Sequence, residues 1–458
     1  MNAQVLTAFS GMGFAEVPGS PRFDGPLGSD ISDSADNAPL GTCENDPASH
    51  RNSLPMNAGT PEMPRAARIR TDQRKTNVVV FINHSAETFT ATQSGAIATH
   101  IWECCRAAHL DGLEPVVITR RDKAEPYGDV STALLDYPRV PGNRMMNKLL
   151  RAQLKLTGWR HLRQGRYADR VVRSIRERRW ECCPMILHND PEMAVFLSKR
   201  FPTARIVHHF HNQINAAPRF RTRLRHCADA ITGVSNFTSR WVEGCYGLER
   251  QRVRTIYNGV DGTRFHPSIM PCSDRPVVNF VGRTGIEKGP DLLLKAALLV
   301  AQTNPAFGVQ ILGANHWDKF ELDDYQRELN QLAGQLENLG VVVRRPGHIS
   351  REALPGELGR AHINVVPSRW DEPFALTILE GMSCGLATIV SRTGGAPEVV
   401  GDAGLLFDRD SVEGLAEHLG RFLFDKGLRA EYSQKARARA EKFTWHNTWK
   451  NLRAAAGI

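Results

Sequence analysis

"INVVPSRWDEPFALTILEGMSCGLATIVS", residues 363–391, reads as strand, loop, helix, strand. The two end runs are β-branched and apolar on both faces, as strands are when a parallel sheet is covered on both sides. Parallel neighbours need a crossover, and the apolar run between them supplies its helix. Pro373 suits the first helical position, where a missing N–H costs nothing. Glu372 then sits at or beside the N-cap, and the N–H groups of Phe374, Ala375 and Leu376 point out of the helix start as an anion site. Glu380 lies about two turns on, near the helix end before Gly381, roughly 12 Å along the axis at about 1.5 Å per residue. Carboxylates flanking one scissile glycosidic bond stand closer, at roughly 5–10 Å. Since carboxylates are rarely buried without partners, the pair reads as two grips on an extended ligand with hydroxyls at both ends and a diphosphate between them, as in a sugar nucleotide.

The same alternation extends outward from this unit. "VVVFI", "EPVVIT", "MILHND", "ARIVHHF", "AITGVS" and "RTIYN" form one set of strands. "VVNFVG", "FGVQILG", "VVVRRPG", "INVVPS" and "ATIVS" form a second, and a late strand precedes "DRD" at 408–410. Helical patterns separate them, with a break near "FHPSIMPCSDRP" (265–276). Two such sets predict two doubly wound α/β domains, with ligands at the carboxyl ends of the strands, in the cleft where the domains face. The expected organisation is a disordered tail over 1–75, rich in Gly, Pro, Ser, Asp and Asn. An N-terminal Rossmann-like domain follows over 76–268, then a C-terminal one over 269–440 and a final helix over 441–458.

Strand ends carry the remaining candidates. In "VVNFVGRTGIEKGPDLLLKA" (277–296), Arg283 and Lys288 share one loop at a strand's carboxyl end. Arg offers phosphate a planar fork and Lys a compact charge; a solvated βα turn is the plain alternative. "RIVHHFHNQ" (205–213) places His209 and His211 on one face beside His208. Such a cluster can serve metal, catalysis or packing, but no third acidic ligand is evident, and no D-x-D run lies near a suitable strand end. No metal site is therefore expected. Gly95 opens "GAIATH" where a βα turn should lie, followed by Ala96, whose Cβ disfavours positive φ. Gly394 and Gly395 follow "ATIVS" as a donor-side or a packing turn.

In order along the chain, "GVSNFTSRWV", "IYNGVDGTRF", "FVGRTGIEKG", "VVPSRWDEPFALTILEGMSCG" and "GGAPEVV" resemble the retaining family 4 glycosyltransferases, which have the GT-B fold. Glu372 and Glu380 match that family's E-x7-E element. The resemblance covers roughly 78–456 and implies that the 76–268 domain is the acceptor side, that the 269–440 domain binds the nucleotide sugar, and that the 441–458 helix crosses back onto the N-terminal domain. It implies that Arg283 and Lys288 hold a donor diphosphate, Glu380 the ribose hydroxyls, and Glu372 the donor sugar. It further implies that the turn at 347–350 seats the base, that His211 meets the sugar, and that Gly95 stands where the family has a Gly-Gly turn. A UDP- or GDP-sugar would be the donor, with no cofactor, and a glycan or lipid-linked molecule the acceptor. An epimerase of the same fold and a catalytically idle glycan-binding relative are the rival readings.

Composition bounds these readings. The chain has 458 residues and a formal charge of +9. Between Arg144 and Arg179 stand twelve Lys/Arg and two acids, a local +10 that calls for an anionic partner or a solvated face. Met145, Leu149, Leu156, Trp159 and Leu162 recur there at loosely helical spacing, as on a helix lying against an anionic membrane. No aromatic stacking pattern or known nucleic-acid module accompanies the block. No apolar run approaches the roughly 18 residues of a bilayer span. The N-terminus lacks the basic region of a signal peptide. Nine cysteines without C-x-x-C fit a reducing compartment, so the expected location is cytoplasmic or peripheral to the cytoplasmic membrane face.

Overall fold

The structure is a computed structural model and describes residues 77–92, 95–136, 162–267, 275–314 and 323–458. The expected tail and residues 144–161 of the basic block lie outside the described residues.

The first sheet contains β1 (Val78–Ile82), β2 (Glu114–Arg120), β3 (Ser131–Leu135), β4 (Met185–His188), β5 (Ile206–Phe210), β6 (Ala230–Gly233) and β7 (Arg254–Thr255). The second contains β8 (Val277–Val281), β9 (Gly308–Leu312), β10 (Val342–Gly347), β11 (Ile363–Val366), β12 (Ala387–Ser391) and β13 (Gly404–Phe407). The spatial orders are 3-2-1-4-5-6-7 and 10-9-8-11-12-13, and both sheets are parallel throughout. The second repeats the order of a dinucleotide-binding sheet. Strand order reverses between β1 and β4, and again between β8 and β11; each reversal opens a crevice at the carboxyl ends. Strand β3 was not among the expected runs. It is an edge strand of alternating burial, and its sequence lacks the apolar run that marks a central strand.

Alternation along β1 divides its side chains between two cores. Val80 and Ile82 pack with Tyr167, Val171 and Ile175. Val79 and Phe81 pack with Ile97 and Ile101, and with Trp449 and Leu452 of the final helix, Trp445–Ala456. That helix is pinned to the first domain where Trp449 Nε1 and Arg453 Nη1 both donate to Asp111 Oδ2, each at 2.9 Å. In the second sheet Val278 and Phe280 meet Leu293, Leu336 and Phe422, while Leu379, Met382 and Val400 fill the other face.

A rung of amides crosses the middle of the second sheet. Asn279 is in register with both Gln310 and Asn364. Gln310 Nε2 donates to Asn279 Oδ1 at 2.9 Å, and Asn279 Nδ2 to Asn364 Oδ1 at 3.2 Å. Asn364 Nδ2 continues to the Thr377 carbonyl at 3.1 Å. All three side chains are buried.

The helix Leu162–Glu177 holds the described end of the basic block. Its apolar residues Tyr167, Val171 and Ile175 are buried in the sheet's core, while Arg170, Arg173 and Arg176 are exposed. Over this stretch the apolar face is therefore occupied by protein, and only the cations remain for an anionic surface. No helix among the described residues is long and apolar enough to cross a membrane.

Candidate active site

The loop after β8 runs Gly282–Lys288 and ends in a 3₁₀ turn, Ile286–Lys288, capped by Gly289 at φ +67°. A Cβ on Gly289 would stand 2.1 Å from the Pro367 carbonyl oxygen, so glycine lets this loop lie against the one after β11. Their contact brings two predicted residues together. Lys288 Nζ donates to Glu372 Oε1 at 2.6 Å, and Ser368 Oγ donates to the same oxygen at 2.9 Å. Arg283 is half exposed and pairs with Glu287 at 3.1 Å. Behind them Arg369 grips both oxygens of Asp291 at 2.7 and 2.8 Å. Burial alone would raise the Asp291 carboxyl, but hydrogen bonds from Arg369, Tyr325 and Lys295 outweigh it and hold it well below the usual range.

The helix that follows starts later than the sequence suggests. It spans Leu376–Ser383, and Ala375 at φ +59° is its cap. Pro373 and Phe374 belong to the loop, so the N–H groups at the helix mouth begin with Leu376 rather than Phe374 or Ala375. A left-handed Ala is strained by roughly 1–2 kcal/mol. The aromatic packing of Phe374 against Tyr257 and Phe443, with ring centroids 6.1 and 6.3 Å away, anchors the residue just before it. Glu372 thus precedes the helix by a loop. The Gly394–Gly395 turn holds that loop: Gly395 N–H donates to the Glu372 carbonyl at 2.6 Å. A Cβ on Gly394, at φ +53°, would overlap that same carbonyl.

Glu380 lies inside the helix, 3 % exposed, and Gly381 continues it rather than ending it. Arg351 Nη1 donates to Glu380 Oε1 at 2.5 Å. Arg351 directly follows the 347–350 turn, so the pair ties that turn to the carboxylate. Glu380 Oε2 is buried without a hydrogen-bond partner among the described residues, which leaves it ready to accept one.

From the first domain, Gly95 caps the helix Ala96–Leu110 with extended backbone at φ −81°. A Cβ there would come within 3.3 Å of Glu87 Oε2. Burial pushes the Glu87 carboxyl up, and His84, Arg120 and Arg283 ease it back. A further tie joins the domains: Glu398 accepts from the N–H groups of Asn236 and Phe237 at 2.8 and 2.6 Å, and from Tyr257 Oη at 3.1 Å. Burial and Glu398 push the Tyr257 phenol up to about 12.

The histidines form a larger group than the strand alone implies. His209 is the penultimate residue of β5 and His211 lies just past the strand; His188 ends β4, and His100 comes from the helix Ala96–Leu110. His211 Nε2 is 2.9 Å from His188 Nδ1. His209 Nδ1 is 2.7 Å from Thr232 Oγ1, and His100 Nδ1 is 2.8 Å from Asn258 Oδ1. Burial lowers all four, His100 to about 4, and neighbouring imidazoles depress the other three further. His208 faces the opposite core beside Phe210, lowered by burial to about 3.

Residues 97–264 match the family model described as Glycosyltransferase Family 4, and residues 264–439 the one described as Glycosyl transferases group 1. The chain belongs to the family 4, group 1 glycosyltransferases. Spore coat protein SA of Bacillus subtilis (strain 168) is 25% identical over 314 residues, covering 64% of this chain and 82% of its own. A D-inositol 3-phosphate glycosyltransferase of Acidothermus cellulolyticus is 32% identical over 245 residues, covering 49% of this chain and 53% of its own. The chain thus spans about half the length of the D-inositol 3-phosphate glycosyltransferases it matches. Sucrose-phosphate synthase from Thermosynechococcus elongatus superposes with a TM-score of 0.64 at 18% identity, over 82% of this chain and 97% of that one. Anabaena HepE in complex with UDP-glucose superposes with a TM-score of 0.62 at 16% identity, over 82% and 98%. These likenesses establish the GT-B fold of this family 4 chain, two Rossmann-like domains facing across a cleft.

Several of its site residues left no mark in the sequence. Ser368 and Asn258 sit inside motifs quoted above without a chemical signal of their own, while Arg351, Glu87 and His100 are brought to the site only by the fold.

Proposed function

We propose that this glycosyltransferase moves a sugar from a nucleotide diphosphate sugar to a glycan or lipid-linked acceptor, with retention and without a divalent metal. The observation that supports it is the Lys288–Glu372–Ser368 cluster facing the β8/β11 reversal, with the bare Glu380 Oε2 further along the same loop and helix. Glu380 Oε2 accepts from the ribose hydroxyls, and the 347–350 turn seats the base. Arg283 and Lys288 take the diphosphate, and their fixed charge stabilises the negative charge that grows as the sugar leaves. Glu372 orients the sugar hydroxyls while Lys288 bridges it to the phosphate. The acceptor approaches on the face the phosphate leaves, and the departing phosphate oxygen takes the acceptor's proton. His211, neutral when buried, accepts a hydrogen bond from a sugar hydroxyl at Nδ1. The exposed arginines of the Leu162–Glu177 helix suit an acceptor carried on an anionic surface.

The test is a thermal-shift screen of UDP-, GDP- and ADP-sugars in chelator, since a ligand binding only the native state raises the melting temperature. The anomeric configuration of the product then follows from NMR. Turnover that vanishes in chelator and returns with Mg²⁺, or an inverted product, overturns the proposal.

A further inference from the structure

We propose that His100, His209 and His211 form a binding site for a borderline transition cation of the Zn²⁺ or Co²⁺ class, held between the first sheet and the Ala96–Leu110 helix. Each residue offers one ring nitrogen, and these three atoms lie within 4.8 Å of one another. The side chains are 0, 0 and 6 % exposed, with His211 the most accessible. The ring centroids are 4.6–4.8 Å apart in all three pairings. The sequence shows only two of the three, because the third comes from a helix far away along the chain.

The hydrogen bonds around the cluster prepare its lone pairs. The Asn258 carbonyl oxygen can only accept, so His100 Nδ1 carries the hydrogen and Nε2 the lone pair. Thr232 Oγ1 lies within 3.4 Å of the His208 carbonyl, to which its hydroxyl donates; it can then accept from His209 Nδ1–H. This leaves the lone pair on His209 Nε2, which is buried without a hydrogen-bond partner among the described residues. His211 Nε2 and His188 Nδ1 share one hydrogen, and in the tautomer where His211 donates it, Nδ1 of His211 carries the lone pair. Every candidate ligand therefore has an outer partner on its other nitrogen: Asn258, Thr232 and His188. Metal-bound histidines have such partners, which fix tautomer and ring orientation.

Three neutral imidazoles select Zn²⁺, Co²⁺, Ni²⁺ or Cu²⁺ over Mg²⁺ and Ca²⁺, which take oxygen ligands. Bonds of about 2.0–2.1 Å require nitrogens roughly 3.4 Å apart, so the rings close by about an ångström around the ion. Cys104 Sγ lies 3.6 Å from His100 Nε2, beside the proposed ion. Three histidines leave a fourth position, as in three-histidine centres.

The experiment uses the full chain, without a histidine tag, dialysed against chelator and titrated with Co²⁺. One equivalent is expected to bind with the strong visible d–d absorption of a low-coordinate ion. Stoichiometric Zn²⁺ should remove that absorption, and millimolar Mg²⁺ should not. His209→Gln should abolish the band, while Thr232→Val, which keeps the side chain's shape, should weaken binding about tenfold or more. His208→Gln, on the opposite face, should bind Co²⁺ as wild type does. Absence of the band in wild type, or unchanged affinity in Thr232→Val and in a folded His209→Gln, overturns the site. A cation here and the donor sugar of the proposed function would compete for His211 Nδ1; the binding readout contains no sugar, so it fails separately from the proposed transfer.

Discussion

Replacing Glu380 with Ala tests the donor grip most directly. In the structure its Oε1 is held by Arg351 at 2.5 Å, and its Oε2 is buried with no partner among the described residues. A hydrogen bond from a ribose hydroxyl to a carboxylate is worth about 1.5–3 kcal/mol. At about 1.4 kcal/mol per decade, losing one such bond weakens nucleotide binding roughly tenfold, to more than a hundredfold at the upper end. Alanine also strands Arg351, which is mostly buried, and this would lower stability without any donor role. Arg351→Ala separates the two effects, because it breaks the same ion pair and leaves the carboxylate. Calorimetric titration with the nucleoside diphosphate should show a large loss in Glu380→Ala and near wild-type affinity in Arg351→Ala. Equal losses in both variants would mean that the pair only supports the 347–350 turn. Wild-type affinity in Glu380→Ala would refute the assignment outright.

Glu372→Gln should lower kcat by about a hundredfold or more and leave nucleotide affinity within a few-fold, because the lost contact acts on the reacting sugar; steady-state kinetics with calorimetry check it. Glu103 should make stability depend on pH. It is buried against Arg106, Arg264 and Arg351 with Asp261 nearby, and burial first, then Asp261, raises its carboxyl to about 7. The folded state therefore holds a proton that the unfolded state releases near pH 4.5, so this contribution is complete below that value and lost as pH rises through about 7. The loss is at most roughly 3 kcal/mol. Thermal melts should show Glu103→Gln more stable than wild type at pH 8 and equal to it at pH 4. Anionic vesicles should sediment wild type at low salt and release it at high salt, and Arg170→Gln with Arg173→Gln and Arg176→Gln should sediment less. Equal sedimentation of both proteins would exclude these cations as the docking charge.

Central strands were legible because they are apolar on both faces, a pattern that only a doubly covered sheet demands. Strand β3 was not, because an edge strand needs no such run. The start of the Leu376–Ser383 helix was misplaced because Pro373 met the local rule for a first helical residue, while Phe374 packing and the left-handed Ala375 delayed the turn. Local preference lost there to tertiary contact. Glu372, Glu380, Arg283 and Lys288 stand in recognisable motifs, and the fold joins Lys288 to Glu372. Arg351, Ser368 and Glu87 complete the site from loops, where no period marks a side chain. His100 was hidden for the same reason: its helix face is otherwise an ordinary core stripe.

The amide rung of Gln310, Asn279 and Asn364 constrains how this site can be altered. A slip of one residue in any of the three strands would turn a buried amide to the wrong face and leave its neighbours unsatisfied, each at about 1–3 kcal/mol. The rung thus acts as a register pin. By fixing β8 against β11 it also fixes the offset between the Arg283–Lys288 loop and the loop bearing Glu372. The three amides are also energetically inseparable, since each satisfies the next. An apolar residue substituted for one orphans another, whereas exchanging all three together is far less costly. Grafting the loops after β8 and β11 onto another sheet of this order would therefore require moving the rung with them as a unit.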